Sequence, residues 1–597
     1  MSNRQRRRRR NQQSRRSAAP SRRKLALGAG LTVGATFAGA GNAQATNFPV
    51  TSLNDTGGTC TTSCTLRQAL DSADLASHPN VGGNDTITFD STLSGTIAPA
   101  TPLPYIDEGV DIYGPSSHAV TIDGGLAVQI FRADIGATGY NSVEIDDLNL
   151  VHGNAPSGGA LLNFDSNLVL GDMVISGSQA NSGGAIWNGG TLALSGSTVT
   201  GNVADDQGGG IRNNGGYLYV EYSDISGNSA DYGGGIYTNL GTTRVYGSTI
   251  TGNPEGGGLY SSYTDTYILY STLAGNHTDG NGGGLEATGY SNIEILNSTI
   301  SGNDASGLGG GIDDNQGYPM TYTYSLDLTD STVAGNYAVQ GGGGISERTL
   351  ANGGNEGYLP SLTNTIVADN TVLVGSDADL SGSLDASQSL IEHPGGATLT
   401  GGNNLLNVDP QLQALADNGG PTQTQAPLVS SPAIDAGESV SPHDQRDFDR
   451  PVDLPTITNT GPSGDGVDMG AVELQSLTDS QPSTGGGGGA TTSPPPKCKG
   501  KSATVFRANG RKLTGTNKRD VIVGTSKKDK INARGGNDLV CAKGGNDTVK
   551  GGGGKDKLFG QGGKDTLLGQ GGKDKLVGGG KNDTCVGGPG KDTEKSC

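Results

Sequence analysis

The stretch STLAGNHTDGNGGGLEATGYSNIEILNSTISGN (271–303) closes on the same kind of phrase with which it opens. That phrase, Ser-x-apolar-x-Gly-Asn, stands at 197–202, 223–228, 248–253, 271–276, 298–303 and 331–336. Its Gly recurs at 153, 177, 201, 227, 252, 275, 302 and 335, mostly in steps of 23 to 27 residues. A second phrase, GGAI, GGGI or GGGL, follows most copies, at 183–186, 208–211, 233–236, 256–259, 282–285, 309–312 and 342–345. Between them run short alternating segments such as TLALSG (191–196) and YLYVEYS (217–223). With 104 glycines and only 5% aromatics, the chain is either disordered or built from repeated turns. The period decides for turns. Three short strands per period, each ended by Gly or Asn, place Val, Ile and Leu on one face and Ser, Thr and Tyr on the other. Each coil then buries its apolar face only against its neighbours. The expected fold is all-β: a right-handed parallel β-helix over 46–473, ten or so coils stacked at ~4.8 Å. Asn after Gly suits a left-handed bend, and stacked Asn side chains form a ladder along the axis. Helix is expected only in an N-terminal cap, where Leu66, Ala69, Leu70 and Ala73 recur at helical spacing.

A second period governs the tail. GGKDTLLGQGGKDKLVGG (562–579) repeats after nine residues, and its aspartate extends in both directions as Asp520, Asp529, Asp538, Asp547, Asp556, Asp565, Asp574, Asp583 and Asp592. The frame is G-x-x-x-x-D-x-U-x, with Ala533 and Ala542 in place of the first Gly of two copies and the apolar place filled from Ile522 to Leu576, then by Cys585. Six residues make a glycine turn and three a short strand whose apolar residue fills a core. An acid at the turn's end suits calcium, a hard cation that takes six to eight oxygens. With nine residues per half-coil, Asp520, Asp538, Asp556, Asp574 and Asp592 stack on one side and Asp529, Asp547, Asp565 and Asp583 on the other. GGGGKDKLF (551–559) and GGPGKDTEK (587–595) match the first six places of G-G-x-G-x-D-x-U-x, so the tail resembles the haemolysin-type calcium-binding (RTX) repeat family over about 515–597. That resemblance implies a β-roll and Ca2+ as its ligand. The residue before Asp is basic at 519, 528, 555, 564, 573 and 591, which leaves a second arrangement open, a metal-free roll in which Lys and Asp pair.

Charge divides the chain into separate segments. Residues 1–45 hold eleven Arg and Lys and no acid, 46–496 hold 49 acids against seven arginines, and 497–597 hold 22 basic residues against ten acidic ones. The first segment reads as an export signal: a basic run, the Gly/Ala/Leu stretch LALGAGLTVGATFAGAG, and a small-x-small site at Ala43-Gln44-Ala45, twin-arginine-like at Ser21-Arg22-Arg23-Lys24-Leu25 or of the Sec type. No later stretch reaches the ~18 apolar residues of a membrane span. Residues 474–497 (Gly, Pro and Ser rich) read as a linker to a domain at 498–597. Six cysteines suit an oxidising compartment, with Cys60 and Cys64 paired and two bridges among Cys498, Cys541, Cys585 and Cys597 whose connectivity stays open.

The ends of the body carry a further resemblance. CTTSCTLRQAL (60–70) resembles the CSLREA-type segment of secreted bacterial β-helix proteins. LADNGGPTQTQAPLVSSPAIDAGE with DQRDFDRPVD and VDMGAVE (415–473) is similar to the closing segment of the choice-of-anchor Q family, and the coils resemble polymorphic outer-membrane-protein repeats. These imply an exported, surface-associated protein of mostly unassigned activity. A β-helix also hosts polysaccharide lyases and hydrolases, so fold alone does not decide. The best acidic pairs, Asp205-Asp206 (with Arg212 nearby) and Asp313-Asp314, are expected to be solvated loop acids, and no catalytic residue is assigned. Fifteen of nineteen tyrosines fall between 217 and 337; Tyr217 and Tyr219 should face outward, where with Tyr222 they could lie against sugar rings. The expected protein is an extracellular or surface calcium-binding adhesin, non-enzymatic, whose partners are calcium and an extracellular polysaccharide or anionic wall polymer, with no nucleic acid partner. The alternative is a lyase or glycoside hydrolase acting on such a polysaccharide.

Overall fold

The computed structural model describes residues 46–476, apart from 61–63, 76–83, 116–117, 137–141, 317–323, 349–358, 377, 440 and 463, and in the tail 497–499, 501–502, 505–506, 512–514, 521–524 and 528–597. The leader over 1–45 and most of the linker lie outside the described residues.

One coil shows how the sequence sets the path. Strand Thr272–Ala274 ends at Gly275, whose φ of 62° turns the corner. Buried Asn276 follows, then the short strand His277–Thr278, the glycines 282–284, strand Leu285–Gly289, strand Asn292–Leu296 and a second corner at Asn297. Repeated coil on coil, these strands form parallel sheets of 14, 13 and 10 strands, with shorter strips of three and four after the Gly-Asn corner. The structure therefore has a fourth short strand in many coils, and more coils than the ten or so expected. The extra coils lie in the N-terminal part, where strands such as Asp85–Phe89 and Val110–Tyr113 stack without the sextet phrase. The cap helix forms at Leu66–Leu75, with Leu66, Ala69, Leu70 and Ala73 buried.

Register keeps like residues together. In the 14-stranded sheet Leu170, Leu194, Val220, Val245, Ile268 and Ile295 are successive partners, all fully buried. In the 10-stranded sheet Ile186, Ile211, Ile236, Leu259, Leu285 and Ile312 form the equivalent column, so the isoleucine or leucine of the GGGI phrase does face inward. Each such side chain contributes ~1.5–3 kcal/mol by leaving water. The glycines before it are required because coils touch there: a Cβ on Gly284 would stand 2.6 Å from the Gly311 carbonyl oxygen.

The asparagines of the sextets form an internal ladder. Asn202 donates from Nδ2 to Asn228 Oδ1 (3.0 Å), Asn253 to Asn276 (2.7 Å), Asn276 to Asn303 (2.9 Å), Asn303 to Asn336 (2.9 Å) and Asn336 to Asn370 (2.9 Å). Each acceptor Oδ1 also takes the backbone N–H of the preceding Asn. The expected ladder is present, but the left-handed residue is the Gly before it, at φ 59–70° from Gly177 to Gly335. In the first sextet-like phrase this role passes to His152 (φ 51°), whose N–H bonds the next coil as that of Gly177 does. Gly153 therefore occupies the ladder position rather than the bend.

The segment after 410 covers the 13-stranded sheet. Thr272 Oγ1 donates to the Gln423 carbonyl, Thr299 Oγ1 to Gln445 Oε1, and the Ala471 N–H to Thr332 Oγ1, so the Thr of the sextet is a docking residue. Buried charges anchor this cover: Arg450 lies 3.2 Å from Asp330 and 3.0 Å from Glu473, and Arg446 lies 2.7 Å from Asp444. Removing one member of such a pair leaves an uncompensated buried charge.

Replacing Ile236 by Asp is expected to cost about 4 kcal/mol or more, because an unpaired charge enters the core. Replacing Asn276 by Ala is expected to cost about 1–3 kcal/mol through orphaned ladder donors. Urea unfolding of the body measures both, and calcium should move neither. An unfolding curve for Ile236→Asp that overlays the unchanged chain would take this residue out of the core.

Candidate metal centre

The tail forms two facing parallel sheets, and strands in the same sheet are 18 residues apart. Val521–Val523, Leu539–Cys541, Lys557–Gly562, Lys575–Gly580 and Thr593–Lys595 pair in one. Lys530–Asn532, Thr548–Gly554, Thr566–Gly572 and Thr584–Val586 pair in the other. Ile522, Val540, Leu558 and Leu576 meet Ile531, Val549, Leu567 and Cys585 in a thin core. The cysteines, left open above, pair as Cys498–Cys541 and Cys585–Cys597, alongside Cys60–Cys64 in the body. Cys585 thus holds a core place and ties the last coil to the chain's final residue.

The aspartates stand at the end of each glycine turn and fall into the two expected ladders. Asp529 N–H donates to Asp547 Oδ1 (2.8 Å), Asp547 to Asp565 (2.9 Å) and Asp565 to Asp583 (2.8 Å). On the other side Asp538 donates to Asp556 (2.9 Å), Asp556 to Asp574 (2.9 Å) and Asp574 to Asp592 (2.9 Å). Asp529 through Asp574 are buried, Asp583 and Asp592 are half-buried, and Asp520 lies outside the described residues. One oxygen of each accepting carboxylate, at Asp547, Asp556, Asp565, Asp574, Asp583 and Asp592, is thereby fixed. The other, Oδ2, is buried without a hydrogen-bond donor at Asp547, Asp556, Asp565, Asp574 and Asp583.

Such oxygens are costly unless neutralised. Burial pushes the carboxyls of Asp547 and Asp556 up to about 7, neighbouring ladder aspartates add to the shift, and the backbone N–H bond opposes it. Asp565 and Asp574 are raised for the same reasons. Lysine does not provide the compensation. Lys528, Lys555, Lys564, Lys573 and Lys591 are exposed while the Asp after each points inward or sits half-buried, and no Lys–Asp pair occurs among the described residues. Among the described residues, the Lys–Asp pairing of the metal-free arrangement is not found.

The donor set fits calcium: oxygen only, anionic, and lined by backbone. The first Gly of each repeat keeps the space beside Oδ2 open, since a Cβ on Gly551, Gly560 or Gly569 would stand 2.6, 2.3 or 2.6 Å from Oδ2 of Asp556, Asp565 or Asp574. Ala533 and Ala542 place a methyl there, before Asp538 and Asp547. Asp556, Asp565, Asp574, Asp583 and Asp592 would accordingly be the residues with room to hold such an ion. Calcium would supply the positive charge that lets stacked carboxylates stay ionised.

The body's acidic pairs differ from expectation. Asp205 and Asp206 are exposed, as expected, but Asp313 and Asp314 are buried in strand Ile312–Gln316. Asp313 accepts from Nε of Arg348 at 3.0 Å and also pairs with its Nη2. Asp314 lies in the inward column, where burial pushes its carboxyl up to about 7. Glu286, beside Asp313 on the neighbouring strand, is also raised to about 7 by burial and by Asp313. The sequence reading missed Glu286 and Arg348; they lie 27 residues before and 35 residues after Asp313, separations of about one coil that register alone could have exposed.

Tyr217 and Tyr219 do point outward around buried Leu218 and Val220, but their lateral partners are Thr191 and Thr242, and Ala193 and Arg244. The tyrosines that stack are others. Tyr237 and Tyr260 lie parallel with centroids 5.0 Å apart, and Arg212 covers Tyr237 at 5.8 Å. Tyr222 meets Tyr246 edge-on at 5.5 Å. The faces of Tyr237 and Tyr260 are turned to each other, and the Tyr260 hydroxyl accepts from Thr288 Oγ1 at 3.2 Å.

If the ladders are calcium-filled, chelator should release amide protection in strands 557–562, 566–572 and 575–580 of the full chain. Asp556→Ala/Asp574→Ala should behave like chelator at any calcium level. The raised carboxyls fix the pH trend without calcium. Ladder aspartates in the unfolded chain ionise near ~4 and in the folded roll near 7 for Asp547 and Asp556. Folding is then favoured below ~4 and loses stability as pH rises through about 7. Chelated protein should therefore be better protected at pH 5 than at pH 8, and calcium should abolish the difference. Protection indifferent to chelator and pH would refute the ladder as a metal site.

Comparison with known families matches the RTX calcium-binding nonapeptide repeat (4 copies) at residues 514–549, 542–567 and 559–594. Comparison with curated proteins finds no match. Among solved structures the chain is similar to pectate lyase Pel9A, at 13% identity and a TM-score of 0.38, over 72% of this chain and 97% of that one. It is also similar to the PL6 family alginate lyase AlyGC, at 10% identity and a TM-score of 0.28, over 92% and 75%. Likeness at this level says nothing of activity. The two periods of the sequence thus resolve into a long parallel β-helix followed by an array of RTX calcium-binding repeats.

Proposed function

We propose that this protein is exported and acts outside the cell as a non-enzymatic, calcium-dependent surface or matrix protein that contacts extracellular polysaccharide. The observation that carries the reading is the pair of buried aspartate ladders, which leave one oxygen per rung for a cation. A roll of this kind folds where calcium is plentiful, and the low-affinity regime of extracellular calcium modules lies at ~10⁻⁴–10⁻³ M. The pairing of all six cysteines supports an oxidising compartment. The basic leader supports export, and no helix among the described residues is long and apolar enough to cross a membrane.

A second reading, cleavage of a polysaccharide, draws on one group of residues. Glu286 holds a carboxyl poised near neutral pH beside the Asp313–Arg348 pair, the arrangement a general acid or base requires. Against it, Arg348 is committed to Asp313, and Asp313 itself is fully buried.

The two readings part in one experiment. The full chain with calcium is incubated with neutral and uronate polysaccharides while reducing ends and unsaturated uronate are followed. The expected result is no turnover, together with retention of the protein on a polysaccharide matrix in calcium. Turnover that disappears in Glu286→Gln would replace the proposed function by the second reading.

A further inference from the structure

The roll's two faces carry different charge. Of the ten acidic residues after 496, nine are ladder aspartates, and the tenth, Glu594, accepts the Gly587 N–H through Oε1 at 2.8 Å. Its carboxylates are thus largely turned inward or engaged, and its lysines define the outside. On the side of the Asp538–Asp592 ladder, buried Asp556 and Asp574 are each flanked by two exposed lysines, Lys555 and Lys557, Lys573 and Lys575. Because the Asp between them points in, both neighbours point out. Lys557 and Lys575 are direct partners in the sheet, and Lys591 continues the row from Lys555 and Lys573 into the last coil. On the opposite ladder the residue after Asp is Thr at 548, 566 and 584, also in register. Lys528 and Lys530 flank Asp529 and Lys564 precedes Asp565 on that side, so flanking lysine pairs stack over successive coils only in the comb, whose members form no ion pair among the described residues.

We infer that this lysine comb is a docking surface for a linear polysaccharide bearing carboxylates, of the polyuronate class. The inference rests on the roll being folded by calcium, as proposed above. Two rows of ammonium groups repeat once per coil, at ~4.8 Å, a spacing of the order of one sugar along an extended chain. Calcium held in the ladders cancels the inward carboxylates and leaves the outward charge uncompensated. The surface does not suit single-stranded nucleic acid, whose binding grooves interleave basic residues with aromatic platforms. The one aromatic side chain described in the roll, Phe559, is half-buried and covered by the Lys499 ammonium at 4.5 Å. Exposed Gln561 and Gln570 at the turns offer donors and acceptors suited to sugar hydroxyls instead.

The test uses the full chain in calcium with short, soluble oligogalacturonate as probe, and uncharged dextran oligomer and single-stranded DNA as controls. The variant Lys555→Gln/Lys557→Gln/Lys573→Gln/Lys575→Gln is compared with Lys528→Gln/Lys530→Gln/Lys550→Gln/Lys564→Gln, which removes equal charge from the other side. The comb variant is expected to bind at least about tenfold more weakly, with flattened salt dependence, and the other variant to bind nearly as the unchanged chain. Amide protection of strands 557–562 and 575–580 in calcium must persist in both variants. Equal loss in the two variants would reduce the effect to net charge and overturn the comb. DNA bound as tightly as oligogalacturonate would overturn the assignment to saccharide, and so would absence of binding by a protected roll. If calcium fails to protect those strands in the unchanged chain, the folded roll itself is lost, and the proposed function falls with this inference.

Discussion

Stacking like upon like, at the spacing of one strand, governs both parts of this chain. A parallel coil places every residue directly over its counterpart in the next coil, so each side chain must be tolerable as its own neighbour. Apolar residues meet this condition without effort, as in the column from Leu170 to Ile295. Polar residues divide. An amide both donates and accepts, so the column through Asn276, Asn303 and Asn336 satisfies itself. A carboxylate only accepts. The column through Asp556 and Asp574 therefore borrows one backbone N–H per rung and leaves an oxygen and a charge over. The same geometry lets the body's polar column satisfy itself and leaves the tail's column with buried oxygens that no donor reaches.

Much of this was legible in the sequence because period and chemistry coincide there. The sextet phrase, the glycine triplets and the nine-residue aspartate spacing each mark a structural position, and the strands, inward columns and both ladders followed. Legibility failed where a position was filled by an unlike residue. His152 performs the bend that Gly performs elsewhere, so the phrase around it was aligned one residue off. The N-terminal coils lack the phrase and were undercounted, although their backbones stack in the same way. Outward-facing contacts between coils were also hidden. Glu286, Asp313 and Arg348 come together only because register brings residues a whole coil apart side by side, and variable loops conceal that register. The tyrosine cluster was visible as composition, but which rings touch depends on the same register.

Parts of the rod are covered by segments that do not repeat. The cap helix Leu66–Leu75 covers one end of the apolar column with Leu66 and Leu70. The segment after 410 folds back over the 13-stranded sheet, held by Arg446 and Arg450 among buried carboxylates. In the roll Cys585 occupies the place that Val549 and Leu567 hold in earlier coils, and it is bonded to Cys597.

The asparagine ladder has a direction, since every amide donates toward the coil that follows. A relay of this kind needs a final member that accepts and passes nothing on. Asn370 donates to Asp379 Oδ1 at 2.9 Å, and the other oxygen of Asp379 takes the N–H of His393. Asp379 is thus a stop signal written in hydrogen bonds. Beyond it the relay has no further member, and the coils that follow, with Ser383–Ser387 on Thr398–Thr400 and Leu390–Ile391 on Leu405–Leu406, stack by backbone and apolar contacts without it. A coil gained or lost by duplication or deletion before Asp379 keeps the relay intact.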